Sequence, residues 1–212
     1  MTMVIAEKTL VAEKIKPKKT IQKVPNYLVW EVMDGQPLYR RGYKDVMRKL
    51  KTVEEIMGSS SYQSLICQYI NKLLNRQLDD ETYDVMPNEI GLHLKNKDNF
   101  SHDIVIYPLL SANKITKKHT DYPAKVVIEV DIDIDPAVMK DIDYMSRKTQ
   151  KLLDSGVEKV IWVLTNIKKV WIATPSAPWI MVDWTEDVDI LEGISFNIQA
   201  FLDKRGIDPD NV

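Results

Sequence analysis

Residues 123–157, PAKVVIEVDIDIDPAVMKDIDYMSRKTQKLLDSGV, decide the reading of the fold. Val126, Val127 and Ile128 form a short β-branched run of the kind that fills the middle of a sheet. Glu129 interrupts that run where the strand should emerge. Asp135-Pro136 is a helix start, with Asp as N-cap and Pro in the first turn, and Gly156 is a stop. Between them Val138, Met139, Ile142, Met145, Thr149, Leu152 and Leu153 recur at helical spacing. Lys148 follows Met145 by three residues and precedes Leu152 by four, which places it at the edge of the apolar stripe. Arg147 and Lys151 fall on the far, solvated side. A lysine leaning toward a sheet needs a carboxylate, and Glu129 is the nearest candidate in this unit.

Outward from this unit, the chain alternates strands with three further helices. Tyr27 to Met33 reads as a strand, Asp34-Gly35 as a tight turn, and Leu38 to Tyr43 as the returning strand. The stretch GYKDVMRKLKTVEEIMG holds a short helix. GSSSYQSLICQYINKLLNRQL is a long one, with Ser60 and Gln63 as a capping box and Tyr62, Leu65, Ile66, Ile70, Leu73 and Leu74 on one face. Thr82 to Lys95 gives one or two strands, NKDN at 96–99 a turn, and His102 to Tyr107 a short apolar strand with an acid near its start. Residues 111–122 form a polar loop rich in Lys and Thr. Lys159 to Thr165, Lys168 to Thr174 and WIMVDW read as strands, and Ser195 to Arg205 as a closing amphipathic helix. This order of elements predicts an α/β or α+β chain around a mixed sheet. The expected organisation is a basic arm over 1–25, one domain over 26–205 and a tail over 206–212.

Composition narrows the function classes. At 44% hydrophobic and 28% charged, the 212 residues match a soluble globular protein. Lys+Arg 29 against Asp+Glu 31 leaves a net charge of -2, so no global electrostatic footprint marks a nucleic-acid partner. Cys67, the single cysteine, excludes an intramolecular disulfide and a cysteine zinc knuckle. No stretch approaches 18 consecutive apolar residues and the N-terminus lacks a signal-peptide core, so the expectation is a cytoplasmic protein with no membrane partner.

Asp103 opens one apolar strand, Glu129 closes another, and Lys148 projects from the helix that follows. Two carboxylates at converging strand ends hold a hard cation such as Mg²⁺ through oxygens and leave sites for water and a phosphate. The cation lowers the pKa of bound water and stabilises charge on the scissile phosphate. A nearby lysine orients the water or neutralises the transition state. These are the parts of a metal-dependent phosphodiesterase. From spacing alone, each residue also has an ordinary reading: Asp103 as a strand-edge acid and Lys148 as a side chain with its head in water.

The run from DIVIY through PAKVVIEV to K-x7-G-V-E-K-V-I-W-V resembles the Uma-type restriction endonuclease family, whose fold is that of the PD-(D/E)XK nucleases. The resemblance extends over most of residues 27 to 203, including the Asp-Gly hairpin and the EEIMGSS entry to the long helix. It implies a PD-(D/E)XK-like core with an N-terminal β-hairpin extension, and a Mg²⁺-dependent nuclease (Mn²⁺ substituting) that acts on duplex DNA. It assigns the Asp, the Glu and a lysine moved onto the following helix to Asp103, Glu129 and Lys148. Two departures stand out. His102 replaces the proline before the first Asp, a change the fold should tolerate. EVDIDID replaces EV-x-S-P-S, so Asp131 stands where the parent motif has its lysine. Side chains two apart on a strand share a face, so Asp131 should look into the cleft with Glu129, either as a further metal ligand or as a partner for Lys148.

Several other residues are candidates. Glu89, in PNEIGLHL, is either a further metal ligand or a surface strand acid. Gln63 is a helix cap or lines the site. Lys114, Lys117 and Lys118 in the polar loop are the local candidates for DNA-phosphate contacts, against a plain solvated loop. The DIDID repeat is no EF-hand, because Pro136 falls at the glycine position and Ile142 at the terminal glutamate position. No GxxxxGK loop is present. His93, His102 and His119 are scattered over different elements, which argues against a histidine metal centre. The readings carried forward are an endonuclease, homodimeric by analogy with other double-strand cutters, and a catalytically inactive module of the same fold that binds DNA or a protein. A hydrolase of another phosphoester is the third.

Overall fold

The computed structural model describes residues 23–94, 97–132 and 139–212. A hairpin comes first: β1 (Val29–Met33) and β2 (Gln36–Tyr39) pair antiparallel around Asp34-Gly35. Both turn residues have positive φ, 54° and 73°, as this tight hairpin turn requires. The expected first strand starts later than Tyr27, because Asn26–Leu28 is a 3₁₀ turn. The returning strand stops at Tyr39, and the short helix α1 follows as Tyr43–Met47.

Helix α2 (Ser61–Gln77) begins as the sequence predicts, with Ser60 Oγ accepting from the Gln63 backbone N–H at 3.1 Å. Its buried face is Ile66, Ile70 and Leu74. The long strands β3 (Tyr83–Leu94) and β4 (Asp98–Pro108) pair along their whole length. The predicted strand His102–Tyr107 is the second half of β4. The central unit follows as β5 (Val126–Val130), α3 (Asp141–Asp154) and β6 (Lys159–Leu164), with β5 and β6 parallel. The expected helix start at Asp135-Pro136 lies outside the described residues; the helix itself begins at Asp141, behind Lys140, which supplies no side-chain cap. Its end is as expected: Gly156 has φ +106°, and a Cβ there would meet Pro123 at 3.1 Å.

Strands β7 (Lys169–Ala173) and β8 (Ile180–Asp183) complete the sheet, whose order is β2-β1-β4-β5-β6-β7-β8 with β3 also on β4. The closing helix was expected from Ser195. Instead β9 (Val188–Leu191) and β10 (Ile194–Phe196) form a small hairpin, and α4 spans Ile198–Arg205 with Asn197 as its side-chain cap. Val188, Ile190, Ile194 and Phe196 alternate into the core, a period of two that overrides the helical reading.

Two core layers cover the sheet. Val105, Tyr107, Val127 and Trp162 pack with Tyr144, Met145, Leu152 and Leu153 of α3. Ile104, Ile106, Val126, Ile128 and Val130 pack with α2 and α4 on the other face. The mixed α+β sheet with an N-terminal hairpin is therefore the architecture observed. The arm expected over 1–25 lies outside the described residues except for 23–25. Among the described residues, no helix is long and apolar enough to cross a membrane.

Candidate active site

The site forms where two strands part. β1 meets one edge of β4 at Val32–Asn99, and β5 meets the same edge at Ile104–Ile106. Phe100 to Asp103 lie in the gap between them, and side chains there do what a neighbouring strand would otherwise do. The Ser101 N–H donates to Glu31 Oε1 at 2.9 Å, and the Ser101 carbonyl accepts from Lys148 Nζ at 2.8 Å. The Val130 N–H, at the end of β5, donates to Asp103 Oδ2 at 2.7 Å. Opposite the gap, β3 carries a bulge at Asn88 and Glu89, both with positive φ. Strict alternation along β4 fails at the same place. Phe100 packs in the α3 layer, whereas Ile104, four residues on, packs in the α2 layer. A bulge of this kind re-aims side chains, here His102 and Asp103.

Lys148 was expected at the stripe edge, yet it is 1% exposed. The sheet gap beneath α3 receives it. Its Nζ lies 2.7 Å from Glu129 Oε1, 2.8 Å from Glu31 Oε1 and 3.3 Å from the Tyr144 hydroxyl. Tyr144 in turn donates to Glu31 Oε2 at 2.6 Å. Burial works against charge on Lys148, but Glu129 and Glu31 more than offset it and hold its pKa above the ordinary lysine range. The lysine stays cationic. Arg147 and Lys151, expected to be free in solvent, instead bind the hairpin turn: both pair with Asp34, and Lys151 reaches buried Asp98 at 2.9 Å.

Glu129 is buried and accepts at Oε1 from both Lys148 and His102, whose Nδ1 is 2.6 Å away. Burial raises the pKa of Glu129 against the pull of Lys148. Burial, reinforced by the Lys148 charge, holds His102 well below the ordinary imidazole range. A neutral ring that donates from Nδ1 leaves Nε2 as an acceptor, and that atom is buried without a hydrogen-bond partner. Asp103 makes no ion pair among the described residues, although the Lys148 charge, reaching it from a greater distance, lowers its pKa somewhat. Burial first and Glu129 second push its pKa up to about 7.

The remaining candidates divide. Gln63 caps through its backbone only; its side-chain amide donates to the Val130 carbonyl at 2.7 Å, so it anchors the end of β5. Asp131 leaves the strand at φ +62° instead of continuing the alternation with Glu129. It borders the same cavity, but its carboxylate accepts from the Thr165 N–H at 2.8 Å and from the Thr165 hydroxyl at 2.7 Å. Glu89 is exposed on the bulge and borders the cavity beside Asp103. Lys114, Lys117 and Lys118 line a separate hollow with His119, away from this cavity.

The cavity bounded by Asp103, Glu129, Lys148, His102 and Gln63 has a volume of about 20 Å³, the space of one water-sized group. Asp103 and Glu89 also border an outer groove of about 540 Å³ lined by Ser64, Cys67 and Asn71 of α2. Burial pushes the Cys67 thiol up to about 12, so it is no nucleophile. The oxygen donors fit a hard cation. The Glu129 and Asp103 carboxylates repel each other beside a small cavity, and Asp103 makes no ion pair of its own among the described residues. Among the described residues, no set of three or more His, Cys, Asp or Glu is grouped as a metal cage. Mg²⁺ needs none, because it binds through one or two carboxylates with waters and substrate phosphate.

Sequence reasoning missed Glu31 and gave His102 and Tyr144 no role. A signal for Glu31 was present: in VWEVM it takes the inward register shared with Met33, and a buried acid needs a partner.

No family model matches the chain, and no curated protein matches it. Among solved structures, the chain is similar to a "putative nuclease belonging to DUF820" from Anabaena variabilis. The TM-score is 0.59 at 12% identity, over 82% of this chain and 89% of the other. The likeness at that identity is one of fold, and the fold is the one that the sequence resemblance implies.

Proposed function

We propose that this chain is a metal-dependent endonuclease that hydrolyses DNA phosphodiester bonds. Asp103 and Glu129 would hold Mg²⁺, for which Mn²⁺ can substitute, with Glu89 at the rim. When bound, the cation supplies a more acidic water and charge stabilisation at the phosphate. The protein's own residues do the rest. Lys148, kept cationic between Glu31 and Glu129, is no general base; it orients Glu129 and adds positive potential for the transition state. His102 fixes the Glu129 carboxylate through the same Oε1 that Lys148 holds. Gln63 and Asp103 together hold both backbone polar groups of Val130, which sets the end of β5 relative to β4.

The observation that carries this reading is Asp103, half-buried near Glu129, without an ion-pair partner among the described residues, and bordering an open groove. The fold shared with a "putative nuclease" supports it. A homodimer would suit cutting of both strands, since twofold symmetry matches a duplex. The second reading is an inactive binding module of the same fold. It is favoured by one feature: Glu129 Oε1 is already engaged by both Lys148 and His102. Supercoiled-plasmid cleavage with Mg²⁺ or Mn²⁺ separates the two. The endonuclease reading expects nicking that Asp103→Asn abolishes. Intact plasmid at millimolar metal would leave the binding module.

A further inference from the structure

Helices α2 and α4 enclose a groove of about 510 Å³ that does not border the carboxylate cavity. Lys72 and Arg76 line it from α2, and Lys204 and Arg205 from α4, all exposed. Among the described residues, none of the four has an ion-pair partner and no acid lines the groove. A chain of net charge -2 has thus gathered four free cations on one face. The helices meet through Tyr69 and Phe201, whose rings stack at 4.0 Å and 4°, and the Arg205 guanidinium lies 5.9 Å from the Phe201 ring. That floor fixes the two helices that carry the charges relative to each other, while the exposed side chains keep their rotamer freedom until an anion binds.

The groove adjoins the Asp103 groove at one residue. Gln68 borders both it and the outer groove that reaches Asp103. From Gln68 to Arg76 the helix rises about 12 Å, or roughly three to four nucleotide steps along one strand. We infer that the α2/α4 groove is a phosphate track that grips a nucleic-acid backbone running on from the Asp103 groove. The inference rests on the endonuclease reading for which end of the track is cut. It also ranks this groove above the Lys114, Lys117 and Lys118 loop, which shares no lining residue with the Asp103 groove.

The test is fluorescence anisotropy of labelled duplex and single-stranded DNA of equal length, with the full chain in EDTA, across a salt series. Plasmid cleavage is assayed separately on the same proteins, with Mg²⁺ or Mn²⁺ in place of EDTA. Neutralising all four residues to Ala should weaken binding at least tenfold. It should also reduce the slope of log K against log salt by about three to four for duplex DNA. The variant with Lys72→Arg and Lys204→Arg should bind like wild type, and the loop variant with Lys114, Lys117 and Lys118 changed to Ala should lose less than twofold. A groove variant with unchanged affinity and slope overturns the track, as does a loop variant that takes most of the loss. If the wild type binds through the groove but does not cut, the track stands and the endonuclease reading fails. If it cuts and the groove variant cuts and binds equally well, the reverse holds. Circular dichroism melts confirm that these exposed substitutions leave the fold intact.

Discussion

Lys148 Nζ lies 2.8 Å from Glu31 Oε1, although the two residues are 117 apart in sequence. The N-terminal hairpin therefore supplies half the counter-charge for a lysine on α3, and it belongs to the site as much as the central strand does. Glu31, Lys148, Glu129, His102 and Tyr144 form one buried polar network, in which Lys148 serves both carboxylates while Tyr144 and His102 each serve one. Such a network is unforgiving of partial loss.

Removing the cation should therefore cost more than removing one acid. Lys148→Met keeps most of the volume but leaves Glu31 and Glu129 buried without a positive charge, and should lower stability by about 3–5 kcal/mol. Adding Glu31→Gln to that variant should recover part of the loss, because the two sites are in contact and their effects do not add. Urea unfolding of the three proteins measures both numbers.

Asp103 makes stability depend on pH in a definite direction. Its folded-state pKa, about 7, lies above the usual value of 3.8, so the folded protein holds a proton that the unfolded chain has lost between those values. The favourable contribution is full below about pH 4 and is lost as pH rises through about 7. Asp103→Asn should remove this dependence and raise stability at pH 8 by on the order of 3 kcal/mol. Thermal melts from pH 4 to pH 8 in EDTA compare the two proteins; a wild-type curve no steeper than that of the variant would contradict the assignment.

Asp131 should prove to be a strand-end cap. Asp131→Ala should cost about 1–3 kcal/mol by leaving the Thr165 N–H without its acceptor. Asp131→Asn, which tolerates positive φ, should cost less. Divalent-ion affinity should stay within twofold of wild type in both, read by calorimetry.

His102→Phe tests whether the replaced proline position has gained a task. The ring volume is kept and the donor to Glu129 is lost, while the unpartnered Nε2 also disappears. Stability should change by only about 1 kcal/mol. Divalent-ion affinity should fall roughly tenfold, the usual effect of losing a group that orients a ligand.

Much of the architecture was legible because it rests on local signals. The Asp34-Gly35 turn, the Ser60 cap, the β-branched run before Glu129 and the Gly156 stop each act within a few residues, and each is where the sequence predicts. The convergence of Lys148 on Glu129 was legible as one of two readings, since a lysine beside an apolar stripe either finds a carboxylate or carries its head into water. The rest depends on contacts distant in sequence. Glu31 enters only because β1 and β5 part along β4. Asp131 borders the cavity but bonds Thr165, because β5 ends at Val130 and Asp131 has positive φ. The β9–β10 hairpin was hidden because its strands are only four and three residues long, and the expected helix took in Ser195 and Phe196. The pairing of Lys151 with Asp98 was unreadable from a helix wheel, which shows the face of a helix and not what leans over it.

The most direct test of the central claim is a calorimetric titration of Mg²⁺, repeated with Mn²⁺, into wild type, Asp103→Asn and Glu129→Gln at pH 8. The account predicts one site on the wild type in the millimolar range or tighter, lost in both variants while their folds persist. Equal binding by Asp103→Asn, or no binding by the wild type at millimolar metal, would contradict it.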